Sequence, residues 1–226
     1  MRYAVLGDIH GNLPALEATL DSIKRQEIEK TFCLGDIVGY GAQPEACVEL
    51  IRSLDIPCVM GNHDYYAVVR TAPVFFNPAA AAAILWTRTK LSARSREFLK
   101  SRPLRIDESE TAFVHASPET PDQWSYLYNP DQAQFAFAHF TQRACFIGHT
   151  HIPAVFQDPP SGRALVNPGS VGQPRDGDPR ACYGVYELET GKFEWNRVDY
   201  PVAEAAAAIS KAGLPPGLGR RLFEGR

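Results

Sequence analysis

Five of the six histidines lie in four short motifs: Asp8-Ile9-His10, Gly61-Asn62-His63-Asp64, Val114-His115 and Gly148-His149-Thr150-His151. Each motif follows an apolar run, and a fifth run, Leu34-Gly35-Asp36, ends in a carboxylate. Imidazoles and carboxylates gathered at such positions are candidate metal ligands. The set Asp8, His10, Asp36, Asn62, His115, His149 and His151 offers oxygen and nitrogen without thiolate, which suits Mn, Fe, Co, Ni or Zn. It is too large for one four-coordinate zinc and suits two divalent ions sharing a bridging carboxylate. Two ions ~3.5–4 Å apart can clamp the attacking and leaving oxygens of a displacement at phosphorus. The sixth histidine, His139, sits in a helix-like stretch at 135–140 and reads as structural, and Gly177-Asp178 reads as a turn.

The elements that must position these groups follow from the hydrophobic spacing. In an extended segment residues i and i+2 face the same way, so Asp8 and His10 can aim at one ion, as can His149 and His151. Residues 3–6, 32–34 and 58–60 read as strands, and residues 13–25 and 44–54 as helices, with Asn12 as the first helix cap. This alternation predicts a core of parallel strands. In open α/β sheets, sites form outside the carboxyl ends of the strands, where all these motifs lie. Residues 65–101 carry two helices (Pro78–Lys90 and 92–100) and none of the histidine motifs beyond residue 64, and read as a helical insertion or flank. Arg88, Lys90, Arg94 and Arg96 there read as a solvated face. Strands return at 104–107, 111–115, 145–147, 154–157, 164–166, 183–188 and 193–199, with helices at 130–140 and 201–211. One domain is expected over residues 1–212. The Gly-, Pro- and Arg-rich residues 213–226 are expected to form a loosely ordered tail.

Composition sets the outer bounds. A chain of 226 residues can bury a core without disulfides or a structural metal. A net charge of −3 gives no basic footprint for a large nucleic-acid interface, although small nucleotides remain compatible. The five cysteines form no CxxC pair and read as buried thiols of a cytoplasmic protein. No apolar stretch approaches the ~20 residues of a membrane span, and residues 1–6, which lead straight into a strand-like run, are not expected to act as a signal peptide.

The order Asp-x-His, Gly-Asp, Gly-Asn-His-Asp, His, Gly-His-x-His resembles the calcineurin-like metallophosphoesterase superfamily over residues 1–151. The run from Asn167 to Arg175, Asn-Pro-Gly-Ser-Val-Gly-Gln-Pro-Arg, extends the likeness to its small bacterial and archaeal phosphodiesterase branch. The resemblance implies a four-layer αββα sandwich of two mixed sheets flanked by helices. It implies that Asp8, His10 and His151 hold one metal and Asn62, His115 and His149 a second, with Asp36 bridging. His63 would contact the phosphate and act as general acid, and Asp64 would orient it. The implied reaction is hydrolysis of a phosphodiester or nucleotide phosphate by a metal-bridging hydroxide, since a bridging water has its pKa lowered toward ~7.

One departure narrows the reading. Protein phosphatases of this superfamily place an arginine on the phosphate where this chain has Tyr40. That counts against a protein phosphatase, although a phosphomonoesterase remains the alternative. Arg175 is the candidate replacement cation. Trp124 and Tyr126 are candidate substrate contacts, able to stack on a base or to pack their loop onto the core. A retromer subunit of the same fold serves as a protein-interaction scaffold with its metal site degraded. Here every ligand position is filled, which favours an enzyme acting on a small phosphoester.

Overall fold

Two mixed sheets stack face to face in this computed structural model, which describes residues 1–69, 71–72 and 74–226. The first sheet runs β2 (Lys30–Cys33), β1 (Arg2–Leu6), β8 (Ala181–Glu187), β9 (Lys192–Val198). Within it β1 and β2 are parallel and the other pairs antiparallel. The second runs β3 (Arg105–Glu108), β4 (Thr111–Val114), β5 (Ala144–Phe146), β7 (Arg163–Asn167), β6 (Ala154–Asp158), with β4, β5 and β7 parallel to one another.

Alternation along each strand builds the layers. Tyr3, Val5, Phe32 and Leu34 point from the first sheet into a shared core with Phe113, Phe146 and Val166 of the second. Ala4, Leu6, Cys33 and Tyr183 point the other way. They meet the apolar faces of α1 (Leu13–Lys24), α2 (Pro44–Ser53) and α7 (Val202–Lys211). Ala112, Val114, Cys145 and Leu165 face α6 (Pro130–Ala136) on the far side. The result is the expected helix–sheet–sheet–helix order. Phe32 stacks on Phe113 at 4.1 Å across the centre of the sandwich.

Asn12 caps α1 as expected, its side chain accepting from the Ala15 N–H at 3.3 Å. The helices at 65–101 are α4 (Pro78–Lys90) and α5 (Ala93–Lys100), begun by Asn77 and Ser92 caps. Residues 70 and 73 of that stretch lie outside the described residues. Arg88 and Arg96 are not a solvated face. Arg88 donates to the Tyr66 and Thr71 carbonyls, and Arg96 to that of Leu91, tying the segment together.

Two further local expectations change. Residues 58–60 form only an isolated parallel bridge, Cys33 with Cys58, because the chain turns at once into α3 (Asn62–Val68). Residues 213–226 are not a loose tail. They contain α8 (Pro216–Glu224), whose Leu218 and Leu222 are buried in the helical layer beside α7. Pro216 can begin a helix, where its missing N–H costs nothing, and Gly225 ends it in a left-handed conformation. All five cysteines are buried and free. No helix among the described residues is long and apolar enough to cross a membrane.

Candidate metal centre

The ligand-bearing loops all leave the carboxyl ends of β1, β2, the Cys58 bridge, β4 and β5, so the topology gathers them at one edge of the sandwich. The residue types resist ordinary backbone geometry there. Asp8, His10, Asp36, His149 and His151 all have φ between 51° and 69°. Asp and His tolerate the left-handed region better than most residues, and such strain concentrates at functional sites. Asp8 and His10, and likewise His149 and His151, therefore converge through paired left-handed kinks, not through the extended pleat the i, i+2 spacing suggests.

Two donor groups result. Nε2 of His151 lies 3.5 Å from Asp8 Oδ1 and 3.0 Å from His10 Nε2. On the other side, His115 Nε2 lies 3.1 Å from Asn62 Oδ1 and 3.2 Å from His149 Nδ1. Asp36 stands between them, with Oδ2 at 3.7 Å from His10 Nε2 and 3.3 Å from His115 Nε2. Its Oδ1 accepts from the His63 backbone N–H at 2.8 Å, which leaves Oδ2 buried without a hydrogen-bond partner. All seven residues expected as ligands thus meet in one buried cluster.

Backbone carbonyls orient the rings. Nδ1 of His10 donates to Val38 O at 3.1 Å, of His115 to Leu34 O at 2.8 Å, and of His151 to Gln173 O at 2.7 Å. Each Nε2 then presents a lone pair to the cluster, the arrangement that metal-binding histidines require. His10 and His151 bring two such lone pairs 3.0 Å apart, a repulsive contact unless a cation lies between them. With the orphaned Asp36 oxygen, this donor chemistry fits divalent ions. Asp8, His10 and His151 would hold one, and Asn62, His115 and His149 the other.

Charge balance points the same way. Burial pushes Asp8 up to about 7. Burial would also raise Asp36, but His115 and His63 outweigh it and hold the carboxylate well below its usual range. Burial would lower His115, but Asp36 and Asp8 raise it to about 9. Without metal, protons stand in for cations.

His63 is buried on the first turn of α3, its ring 4.7 Å from that of His10 and 4.6 Å from that of Tyr40. Burial lowers its pKa to about 4, and its Nδ1 has no partner. Gly39 makes room for it: φ is 96°, and a Cβ there would sit 2.3 Å from His63 Nδ1. Asp64 does not reach the His63 side chain by any hydrogen bond. Its carboxylate instead accepts from the N–H groups of Val38 and Gly61, both at 3.2 Å. The Gly61 N–H at the start of α3 has no partner within the helix, and Asp64, three residues on, satisfies it as in a capping box. Asp64 therefore fixes the two loops around His63.

Arg175 reaches the site. Its Nη2 donates to Gln173 Oε1 at 2.9 Å and to the Tyr40 hydroxyl at 3.4 Å, with the guanidinium 5.8 Å from the Tyr40 ring centre. Tyr126 stacks on His149 at 3.9 Å, and Trp124 lies 6.0 Å from His115. A cleft of about 950 Å³ opens beside Asn62, His63 and His149, walled by Tyr65, Phe75, Trp124 and Tyr126. Phe75 and Tyr65 were not singled out from the sequence, where nothing distinguishes them from core aromatics.

The Asn167–Arg175 run braces the cluster from behind. Asn167 donates to the Gly148 carbonyl at 2.8 Å, and Ser170 Oγ to the Asp8 carbonyl at 2.8 Å. The profile of the calcineurin-like phosphoesterase superfamily domain matches residues 1–191. The chain belongs to that superfamily. An uncharacterised protein of Methanocaldococcus jannaschii is 43% identical over 99% of this chain and 98% of its own length. A metallophosphoesterase from Sphaerobacter thermophilus has 39% identity and a TM-score of 0.91, with both chains fully covered. A hypothetical protein from Pyrococcus horikoshii shares the fold at 24% identity and a TM-score of 0.87, over 100% of this chain and 98% of that one. The family is a phosphoesterase family, and the Asp and His clusters of this chain are ones that could hold divalent ions.

Proposed function

We propose that this member hydrolyses phosphodiester or nucleotide phosphate bonds with two divalent ions, held as described above. The observation that carries the reading is the bare Oδ2 of Asp36, buried between two sets of imidazole lone pairs. Bound divalent ions supply an acidified water and neutralise charge on the phosphoryl oxygens. The chain's own residues do the rest. Gly39 and Asp64 set the position of His63, which donates a proton toward the leaving oxygen. Burial leaves this imidazole neutral in the free protein, and the negative charge of an arriving phosphate raises its proton affinity. Arg175, presented by Gln173 and Tyr40, grips a phosphoryl oxygen in place of the arginine the phosphatases carry.

The open cleft favours a diester or nucleotide over a phosphoprotein. It has room for a substituent on each side of phosphorus, and its aromatic walls suit a planar group such as a base. The five free, buried thiols suit a reducing compartment, the cytoplasm. The test is hydrolysis of bis-(p-nitrophenyl) phosphate against p-nitrophenyl phosphate in Mn²⁺, with bound metal counted. Turnover with a higher kcat/KM for the diester supports the reading. A higher value for the monoester moves it to a phosphomonoesterase. No turnover with any divalent ion leaves the protein-interaction scaffold.

A further inference from the structure

His63 is held differently from the other imidazoles of the cluster. Nδ1 of His10, His115 and His151 each has a backbone carbonyl within 3.1 Å, and His149 is stacked by Tyr126. Nδ1 of His63 is buried without a hydrogen-bond partner. The Asp64 carboxylate next to it is engaged by the N–H groups of Val38 and Gly61. An imidazole turns readily about its last side-chain bond, because that torsion has a broad energy profile. Something other than a hydrogen bond at Nδ1 must therefore set the direction of His63.

Ring packing supplies that restraint. Three rings close on His63: Tyr40 at 4.6 Å, His10 at 4.7 Å and Phe76 at 4.7 Å. The Phe76 ring stands nearly perpendicular to the imidazole, at 82°. In that arrangement the positive edge of one ring meets the negative face of the other. His10 is a candidate metal ligand, and the Tyr40 hydroxyl accepts from Arg175. The Phe76 side chain carries no polar atom, so packing is all it contributes.

Phe76 is itself well fixed. It precedes Asn77, whose side chain caps α4 by accepting from the Ala80 N–H at 3.0 Å. Its ring meets that of Tyr66 at 5.2 Å and 80°. From α4, Arg88 donates to the Tyr66 carbonyl at 2.8 Å and to the Thr71 carbonyl at 2.6 Å, which ties the end of α3 to the start of the next helix. The half-buried Phe76 also packs against the large helical-side core.

We propose that Phe76 is a positioning residue for His63. Its ring holds the imidazole in the orientation that delivers a proton to the leaving oxygen, and this gives the ligand-free segment 65–101 a task in the reaction. The proposal rests on the reading of His63 as general acid and adds the group that aims it. A proton matters in proportion to how poorly the leaving group departs as an anion. A misaimed His63 therefore slows poor leaving groups and spares good ones.

The experiment compares the p-nitrophenyl and phenyl esters of thymidine 5′-phosphate at fixed free Mn²⁺, with bound metal counted and Tm recorded. Phe76→Leu, which keeps an apolar side chain of similar size, is expected to retain both metals and an unchanged KM. It should lose about tenfold in kcat on the phenyl ester and less than about twofold on the p-nitrophenyl ester. Phe76→Tyr, which keeps the ring, should restore the ratio of the two rates to near that of the wild type. An unchanged ratio in Phe76→Leu overturns the proposal, as do equal losses on both esters or loss of metal. If His63→Ala leaves the ratio unaltered, or if neither ester is cleaved with any divalent ion, the general-acid reading has failed by itself. Nuclear Overhauser contacts in the Zn²⁺-loaded protein then decide the positioning role. His63 ring protons should contact Phe76 in the wild type, and their contacts with Tyr40 should change in Phe76→Leu but not in Phe76→Tyr. Absence of the Phe76 contacts, or unchanged Tyr40 contacts in Phe76→Leu, overturns it.

Discussion

The metal centre and the aromatic cleft share a border but are built on opposite principles. Every candidate ligand is buried, Asn62 being the most exposed at 7%. Rings are aimed by backbone carbonyls or packed by a neighbour, and the Asn167–Arg175 loop braces the backbone of Asp8. Across the border, Phe75 is 87% exposed and Tyr126 44% exposed, and few polar contacts fix their orientation. Catalysis needs groups set before substrate arrives, because reorganising charge during the reaction raises the barrier. A stacking surface needs only area, and every base has a planar face. Rigidity is therefore concentrated where charge is handled.

Substitutions can break this contrast, beginning with the rigid side. Asp36→Asn removes the one carboxylate that faces both donor groups. We expect loss of at least one metal and of activity on the order of 10³-fold or more, read by metal content and diester hydrolysis. Retention of two metals with near-normal rates would dismiss the bridging role. His63→Ala is expected to keep both metals and to lose about 10²–10³-fold in kcat, most on poor leaving groups. Because His63 also lies within ligand distance of His10 and Asp36, metal loss in this variant would make it a ligand instead.

Proton linkage gives the next effect. His115, raised to about 9, and Asp8, raised to about 7, must both lose protons before metal binds. Metal affinity should therefore tighten by about tenfold per pH unit between pH 7 and 9. Asp8, Asp64 and His115 all have raised values when folded, so the metal-free chain binds more protons folded than unfolded above pH 6.5. Its own stability should then fall over the same window, and the rise in Tm on adding Mn²⁺ should grow with pH. A pH-independent Tm increment would contradict both halves. The smallest effect belongs to the adaptable side. Tyr126→Ala should raise KM for a nucleotide ester about threefold to tenfold, with the metals retained. A larger fall in kcat than rise in KM would mean that Tyr126 acts by holding His149, on which it stacks.

The contrast also explains what could be read in advance. Candidate metal ligands are polar residues at the ends of apolar runs, a local signal, so the seven that meet in one cluster could be picked out before any fold was known. Strand alternation likewise exposed the layers. The helix α8 escaped because Gly, Pro and Arg in 213–226 suggest disorder, while its order depends on Leu218 and Leu222 reaching a remote layer. How Asp64 would hold His63 was not legible in sequence: its carboxylate bonds the backbone of Val38 and Gly61 around the ring and not the ring itself.

The sequence by itself determined the candidate donor set, the sandwich of two sheets and the phosphoesterase family, because ligand chemistry and hydrophobic period are properties of residues and short spacings. Tertiary structure alone decided which nitrogen of each histidine faces the cluster, how left-handed kinks bring the paired candidate ligands together, and that a C-terminal helix buries Leu218 and Leu222 beside α7. Those outcomes depend on contacts between residues far apart in the chain. His115 with Leu34 spans 81 positions and His10 with His151 spans 141, and only the closed sandwich brings such groups within hydrogen-bond distance.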